Sequence, residues 1–320
     1  MQPSLNTIMS RLRLRQLRLL IALDECRSIH AAARQVAITQ PGATRALNEI
    51  EETLGTTLFT RSSRGLLPSE AGRCAVRYAR LIESDLSHLC DELAGIEQGL
   101  GGRLAVGGVM GAIPQLMENV ARLRERYPAL ALEIVEDTSE GLMRRIDRGR
   151  LDMALCRADF GQHPGSYVQR GAFEERLQVV ANVAHPLAGI PDLDFAPLAR
   201  SQWIVYPVSM PRILEQEFIE RGYGPGVRSV EISSTFAIIS MLKRDRNILA
   251  LLPERIAAEK AASRELVHLD YCLHVNNRPF ELVWRRDREL PPAARYFLSL
   301  YDAESGDPPP GPDSGEARQA

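Results

Sequence analysis

The sequence predicts an α/β protein that carries a separate all-α module at its N-terminus. Three observations predict it. Residues 12–72 place their apolar side chains at helical spacing. Residues 103–303 alternate short β-rich runs with amphipathic stretches, the order of an α/β body. Between them runs one long amphipathic stretch that ends at Gly99, Gly101 and Gly102.

The 320 residues are 25% charged and 45% hydrophobic, a globular composition with material for two or three domains. The net charge of −2 hides a gradient. Residues 1–80 hold twelve arginines, no lysine and six carboxylates. A basic module on an acidic body points to a polyanionic partner, although arginines clustered on a solvated face would give the same count. RLRLRQLR followed by LLIAL has the order of a signal peptide, but the apolar run stops after five residues at Asp24-Glu25. A signal core needs about 7–15 residues and a membrane span about 18. The chain therefore reads as cytoplasmic and without a membrane partner. Cys26, Cys74, Cys90, Cys156 and Cys272 are odd in number, with no C-x-x-C spacing, so neither disulfides nor a zinc site is expected. The six histidines are dispersed, and no GxSxG, HExxH or P-loop occurs. The carboxylate pairs Asp147/Asp152 and Glu174/Glu175 read as surface charge. No catalytic residue, metal or cofactor is expected. A solute receptor of the transport type would need a leader and has no use for a basic N-terminal quarter.

Leu14, Leu17, Leu20, Ile21 and Leu23 make a first helical stripe. Ser28 can cap a short helix through Gln35, and Thr39 the next. Pro41 is tolerated in that first turn and Gly55 is placed to end the helix. Its buried face is Ala43, Ala46, Leu47, Ile50 and Leu54, and its opposite face is Gln40, Thr44, Arg45 and Asn48. The connection Val36-Ala37-Ile38 is tight, and Ala31, Ala32 and Ala33 are small enough for a close crossing. Two such helices form a helix-turn-helix that can set its second helix in a major groove, or an ordinary helical hairpin. On the first alternative the polar opening has a chemical use. Gln40 can pair bidentately with adenine, Thr39 and Thr44 offer hydroxyls to phosphate, Arg45 offers a guanidinium, and the free N–H groups of the helix start face the same polyanion. In TLFTRSSRGLLPSEAG, Leu58 and Phe59 look like core, and Arg61 to Gly65 like a basic hairpin tip. Ser69 can cap a helix to about Gln98. Tyr78, Ile82, Leu86, Leu89, Leu93 and Ile96, spaced 4, 4, 3, 4 and 3, approach a heptad seam for a partner helix.

The body begins with a strand at 103–108, a helix at 113–126, strands at 131–136 and 151–156, and a helix at 139–149. RLQVVAN, QWIVYP, VEIS, ILALLP and FELVW supply further strands, with helices near 211–222, 234–244, 253–261 and 291–302. This order implies mostly parallel pairing. The Pro/Gly/Asp-rich segment 304–320 is expected to be disordered.

The stretch 12–72 resembles the N-terminal domain of the LysR-type transcriptional regulators. The matching pieces are Leu14-x-x-Leu17, Ser28-x-x-x-Ala32-Ala33, Gln40-Pro41, Leu47, Glu51, Leu54-Gly55, Leu58-Phe59-x-Arg61 and Ser69-Glu70-Ala71-Gly72. TRSSRGLLPSEAG and QPGATRALNEIE are similar to the galactose-binding-protein-regulator-like subgroup. Two positions depart from the family pattern. Thr44 replaces a more usual Ser and keeps the hydroxyl. Gly42 replaces Ala or Ser, at about 1 kcal/mol relative to Ala inside a helix.

The resemblance implies a winged helix-turn-helix at 12–69, a linker and dimerisation helix at 70–98, and a periplasmic-binding-protein-like two-lobed α/β effector domain at 103–303. Lobe I would be 103–163 with 270–303, and lobe II 164–269. DNA would be met by Ser28, Thr39, Gln40, Pro41, Thr44, Arg45 and Asn48, with Arg61 and Arg64 reaching a minor groove, where narrow A·T-rich tracts attract arginine. Dimerisation would use the Tyr78–Ile96 stripe. An effector would sit between the lobes, at turns into helix starts that carry Gly108, Val109 and Met110, then Ser209, then Ser234 and Thr235. Arg157 would pair with a ligand carboxylate. Val109 and Met110 stand where the family often has Ser or Thr, which favours a sugar or a partly apolar organic or aromatic acid over a strongly anionic ligand. The implied partners are promoter DNA at an interrupted palindrome, that small effector, RNA polymerase, and further copies of the chain as a homodimer or homotetramer.

Overall fold

The computed structural model describes residues 4–63, 65–98, 102–161, 165–207, 209–224, 226–275, 277–288 and 290–305. The chain divides into two compact units, with the main break between Arg103 and Leu104.

The first unit runs α1 (Leu5–Arg11), α2 (Leu14–Cys26), α3 (Ile29–Gln35), α4 (Gln40–Leu54), β1 (Phe59–Ser62), β2 (Gly65–Pro68) and α5 (Glu70–Gln98). Its core joins Leu19, Leu20 and Leu23 of α2 to Ala32, Ala33, Ala43, Leu47 and Ile50. Each large apolar side chain so buried contributes about 1.5–3 kcal/mol. Ala32, Ala33 and Ala43 let α3 and α4 meet closely; larger residues there would overpack the crossing. The turn between these helices is held by Val36 N–H on Ala32 O at 3.0 Å and Ile38 N–H on Ala33 O at 2.9 Å. This places Ala37 at φ 55°, in the left-handed region. Helix α1 has no counterpart in the sequence expectations. It has no buried residue, and its Leu5 and Met9 are exposed, so no apolar stripe announces it.

The wing strands β1 and β2 pair antiparallel from Phe59↔Pro68 to Ser62↔Gly65. Glu51 of α4 fixes their root, because its Oε1 accepts Leu58 N–H at 2.6 Å and Phe59 N–H at 3.1 Å. Ser69 caps α5 by accepting Gly72 N–H at 3.0 Å, while its own hydroxyl donates to Thr57 O at 2.8 Å. A Cβ at Gly72 would run into the Leu58 carbonyl oxygen, which explains why the Ser-Glu-Ala-Gly run ends in glycine.

The second unit holds two five-stranded sheets. One has the order β4-β3-β5-β12-β6 and the other β11-β7-β10-β8-β9. The first lobe comprises β3 (Arg103–Gly108), α6 (Ile113–Arg126), β4 (Ala131–Glu136), α7 (Ser139–Asp147), β5 (Met153–Cys156), β6 (Tyr167–Phe173), β12 (Phe280–Arg285) and α12 (Pro292–Ser305). The second comprises β7 (Leu177–Asn182), α8 (Phe195–Arg200), β8 (Gln202–Val205), α9 (Ser209–Glu220), β9 (Ser229–Glu231), α10 (Thr235–Arg244), β10 (Ile248–Pro253), α11 (Glu254–Ala262) and β11 (Leu266–His268). The chain crosses between lobes at 174–176 and again at 269–279.

Two expectations change. The sheets are mixed rather than mostly parallel. β3/β5, β8/β10 and β8/β9 run parallel, but β12 runs antiparallel to β5 and β6, and β7 antiparallel to β10 and β11. The crossing segments bring the chain back into each sheet in the opposite sense. Strand β6 then pairs with β12, so the first lobe extends to Phe173 instead of ending near 163. Helix α12 continues to Ser305, and the expected disordered tail otherwise lies outside the described residues. Among the described residues no helix is long and apolar enough to cross a membrane.

Ala37 offers a test of the turn. Left-handed backbone costs an L-residue about 1–2 kcal/mol, part of which glycine returns as unfolded-state entropy. Ala37→Gly is expected to stabilise the protein by up to about 1 kcal/mol in denaturant titration; a lower midpoint would show that the Ala37 methyl packs usefully.

Candidate nucleic-acid face and effector cleft

Because Ala43, Leu47 and Ile50 turn one side of α4 into the core, its other side faces outward. Gln40, Pro41, Thr44, Arg45 and Asn48 line one open depression of about 570 Å³ there. The Thr44 hydroxyl donates to Gln40 O at 3.1 Å, which leaves its oxygen lone pairs facing out. Thr39 and Ser28 serve first as helix caps. Thr39 Oγ1 accepts Gly42 N–H at 3.2 Å and Ser28 Oγ accepts Ala31 N–H at 3.4 Å. A Cβ at Gly42 would lie 3.1 Å from Thr39 Oγ1, so the glycine gives that cap room. Arg61 is exposed on β1 opposite Leu66; Arg64 lies outside the described residues. Sequence analysis missed one feature here. Helix α1 lies against α4, and Gln16 Nε2 donates to Glu49 Oε2 at 3.3 Å on the flank of α4. Exposed Arg11, Arg13 and Arg15 stand on this segment, whose signal was the RLRLR run that resembled a leader.

Helix α5 has two characters. Val76 and Ala79 are buried in the core of the first unit, and Arg80 Nη2 pairs with Asp24 of α2 at 2.8 Å. The stripe Tyr78, Ile82, Leu86, Leu89 and Leu93 is exposed, between 36% and 54%. The Ile96 side chain lies outside the described residues.

Within the second unit a cleft of about 390 Å³ opens between the two sheets. Its walls are Val109 and Met110 after β3, Asp137 to Glu140 at the start of α7, Arg157 and Phe160 after β5, Tyr206, Pro207, Met210, Arg212 and Ile213 around the start of α9, and Val275, Asn277 and Arg278 of the second crossing. Val109, Met110 and Arg157 are therefore cleft residues. Gly108, Ser234 and Thr235 are not among its lining residues, and the Ser209 side chain lies outside the described residues. Ser234 caps α10 by accepting Ala237 N–H at 3.3 Å. Thr235 donates to Glu136 Oε1 at 2.5 Å, which joins α10 to the end of β4 in the other lobe. The pairs Asp147/Asp152 and Glu174/Glu175 are not simply surface charge. Asp147 is buried, and Asp152 accepts Ala105 N–H at 2.7 Å. Glu174 is 76% exposed at its side chain, whereas Glu175 is 4% exposed and pairs with Arg157.

Burial sets the electrostatics of the cleft and its surroundings. Burial, with Glu136 and Asp137 nearby, pushes the Tyr206 hydroxyl up to about 12, so it stays a hydrogen-bond donor at neutral pH. Burial likewise raises the Cys156 thiol, which leaves it unreactive. Among the described residues no cluster could hold a metal ion. Glu217 is fully buried in α9 and anchors the second crossing. It accepts the Tyr271 hydroxyl at 2.5 Å, His274 N–H at 2.8 Å and Val275 N–H at 3.0 Å. Burial alone would raise its carboxyl; the hydrogen bonds from Tyr271, Val275 and His274 outweigh that and hold it below the usual range.

Comparison with known proteins gives the same two parts. Residues 14–73 match the model of the bacterial regulatory helix-turn-helix protein, lysR family, and residues 97–305 that of the LysR substrate binding domain. The chain is 29% identical over 301 residues to the HTH-type transcriptional regulator GbpR of Azospirillum brasilense, across 92% of this chain and 87% of that one. It is 28% identical over 301 residues to the RuBisCO operon transcriptional regulator of Allochromatium vinosum, across 91% and 96%. The crystal structure of CbnR, a LysR family transcriptional regulator, shares the fold at a TM-score of 0.60 and 19% identity, across 92% of this chain and 99% of that one. CbnR complexed with its target DNA superposes at 0.59 and 19%, across 90% and 98%.

The lowered Glu217 carboxyl fixes the sign of a pH effect. Its ionised form stabilises the fold above its ordinary value of 4.5, and that contribution is lost as pH falls through the lower folded value. Glu217→Gln is expected to cost about 1–3 kcal/mol at pH 7. The gap to wild type should narrow as pH falls from there to well below 4.5. Denaturant titrations at both pH values decide it; a gap independent of pH would mean that the charge contributes nothing.

Proposed function

Because this chain belongs to the LysR family of bacterial helix-turn-helix regulators, we propose that α4 reads one half-site of an interrupted palindrome and that a small molecule in the cleft changes that contact. The chain is a DNA-binding transcriptional regulator with an effector-binding domain, and not an enzyme. The single observation that carries the DNA reading is the outward face of α4, where two amides and a guanidinium share one depression. Gln40 and Asn48 read base edges. Arg45, with the capping hydroxyls of Ser28 and Thr39, meets phosphate, and Pro41 and Thr44 complete the surface against the groove. Arg61 and Arg64 enter the minor groove beside it. On this reading residues 12–69 bind DNA, 70–98 link and dimerise, and 103–303 bind effector. Two copies join along α5, a tetramer forms from two such pairs, and RNA polymerase is the protein partner at the promoter. The effector is a sugar or a small organic acid, held by Val109 and Met110 in the cleft that Arg157 helps to line.

Base reading and phosphate binding separate in titrations on operator and random DNA. Gln40→Ala is expected to lose about 1–3 kcal/mol on operator and little on random DNA. Arg45→Ala should weaken both alike and reduce the salt slope by about 1. Equal losses on both DNAs for Gln40→Ala would remove it from the base-reading set.

The exposed stripe of α5 supports a second copy as its cover. Leu86→Asp with Leu89→Asp places two carboxylates where that interface would bury them unpaired. Sedimentation is expected to show monomer; an unchanged oligomer would refute the seam.

A further inference from the structure

The buried cation of the cleft is already neutralised. Arg157 Nη2 donates to Glu175 Oε2 at 2.7 Å, and the two side chains are 9% and 4% exposed. Arg157 Nε and Nη2 also donate to Arg278 O, at 2.9 and 2.5 Å. Asn277 Nδ2 donates to the same Glu175 oxygen. Arg157 belongs to the first lobe, Glu175 to the first crossing and Asn277 and Arg278 to the second, so the pair is fixed from three directions. The backbone is shaped around it, because a Cβ at Gly111 would run into the Glu175 carboxylate. The other charges offer little to an acid. Arg278 is engaged by Asp159, and the wall carboxylates Asp137 and Glu140 are in turn paired with Arg145 and Arg144 of α7, so no cation among these is left over for an acid. Arg212 is exposed on the lining at the start of α9.

Resting on the assignment of this cleft as the effector site, we propose that the Arg157–Glu175 pair sets its ligand class: Glu175 occupies the place of a ligand carboxylate, so the cleft selects an uncharged, hydrogen-bonding small molecule over an acid. A carboxylate that enters must either displace Glu175 from Arg157 and Asn277 or sit beside it. Like charges a few ångströms apart in a poorly solvated pocket repel strongly, and displacement leaves a buried acceptor without its partners. An uncharged ligand meets neither penalty. It finds donors and acceptors on Thr138, Tyr206 and Gln216, and apolar walls on Met110 and Ile213. This inverts the role that the sequence suggested for Arg157, which serves Glu175 and not the ligand.

Benzoate and benzamide, nearly equal in shape and different in charge, are the probes, titrated calorimetrically into the full chain. Benzoate is expected to bind the wild type no more tightly than benzamide. Glu175→Ala should raise benzoate affinity at least tenfold, and Arg157→Met added to it should remove the gain. Glu175→Gln keeps the shape and removes only the charge; it should raise benzoate affinity by a smaller factor, and it carries the test if the alanine variant does not fold. The proposal is overturned if wild type prefers benzoate tenfold, by way of Arg212 or any other cation. It is equally overturned if neither Glu175 variant gains affinity, or if the gain survives the loss of Arg157. Contacts mapped by NMR to residues outside the cleft would instead overturn the assignment of the effector site.

Discussion

The functional segments of this protein depend on how buried backbone N–H groups outside helices and sheets find acceptors. Each such group left unpaired costs about as much as a lost hydrogen bond, so each loop near a site needs a side chain to hold it. Glu51 does this for the root of the wing, through Leu58 and Phe59. Glu217 does it for the second crossing, through His274 and Val275. Asn182 does the converse at the end of α10, where its amide donates to Leu242 O and Lys243 O, both at 3.0 Å. In the first two cases a polar side chain on a regular element fixes an irregular segment, the root of the wing or the second crossing, whereas Asn182 ties the end of one helix to a strand.

This arrangement explains what was legible in the sequence. Ser28, Thr39 and Gly55 mark helix ends through neighbours three or four residues away, and the short helices of the DNA-binding module followed from them. The depression on α4 was legible for the same reason, since helical periodicity alone puts Gln40, Thr44 and Asn48 on one side. The sheets were less so. Strand β6 pairs with β12 more than a hundred residues away, and nothing within Tyr167–Phe173 states that partner. The cleft was legible only in part. Val109 and Met110 follow from a strand-to-helix turn, but Glu174 and Glu175 look alike in sequence while one faces solvent and the other is buried. Which of two adjacent carboxylates turns inward is decided by Arg157, Asn277 and Gly111, none of them close in the chain.

Side-chain contacts also tie the two lobes to each other. Among the described residues, these contacts lie outside the crossing segments. Arg255 pairs with Glu118 at 3.0 Å, but both side chains are about half exposed, 51% and 53%, and such pairs contribute about 0–1 kcal/mol. Thr235 donates one hydrogen bond to Glu136, worth about 0.5–1.5 kcal/mol net. Met110 leaves the first lobe and is buried in the core of the second, for about 1.5–3 kcal/mol. The apolar contact outweighs either polar one.

Met110 therefore has two duties that constrain each other. It pins the lobes, and it lines the cleft in which a ligand would sit. A ligand shifts an equilibrium between lobe arrangements only by its differential affinity for them. One that binds both arrangements equally transmits nothing, however tightly it packs against Met110. One that competes for the space of that side chain must supply about as much apolar contact as Met110 gives up. The hydrogen-bonding walls can select a ligand, but the ligand's apolar surface is what can act on the lobes. The cleft itself carries both characters, polar at α7 and apolar at Met110 and Ile213.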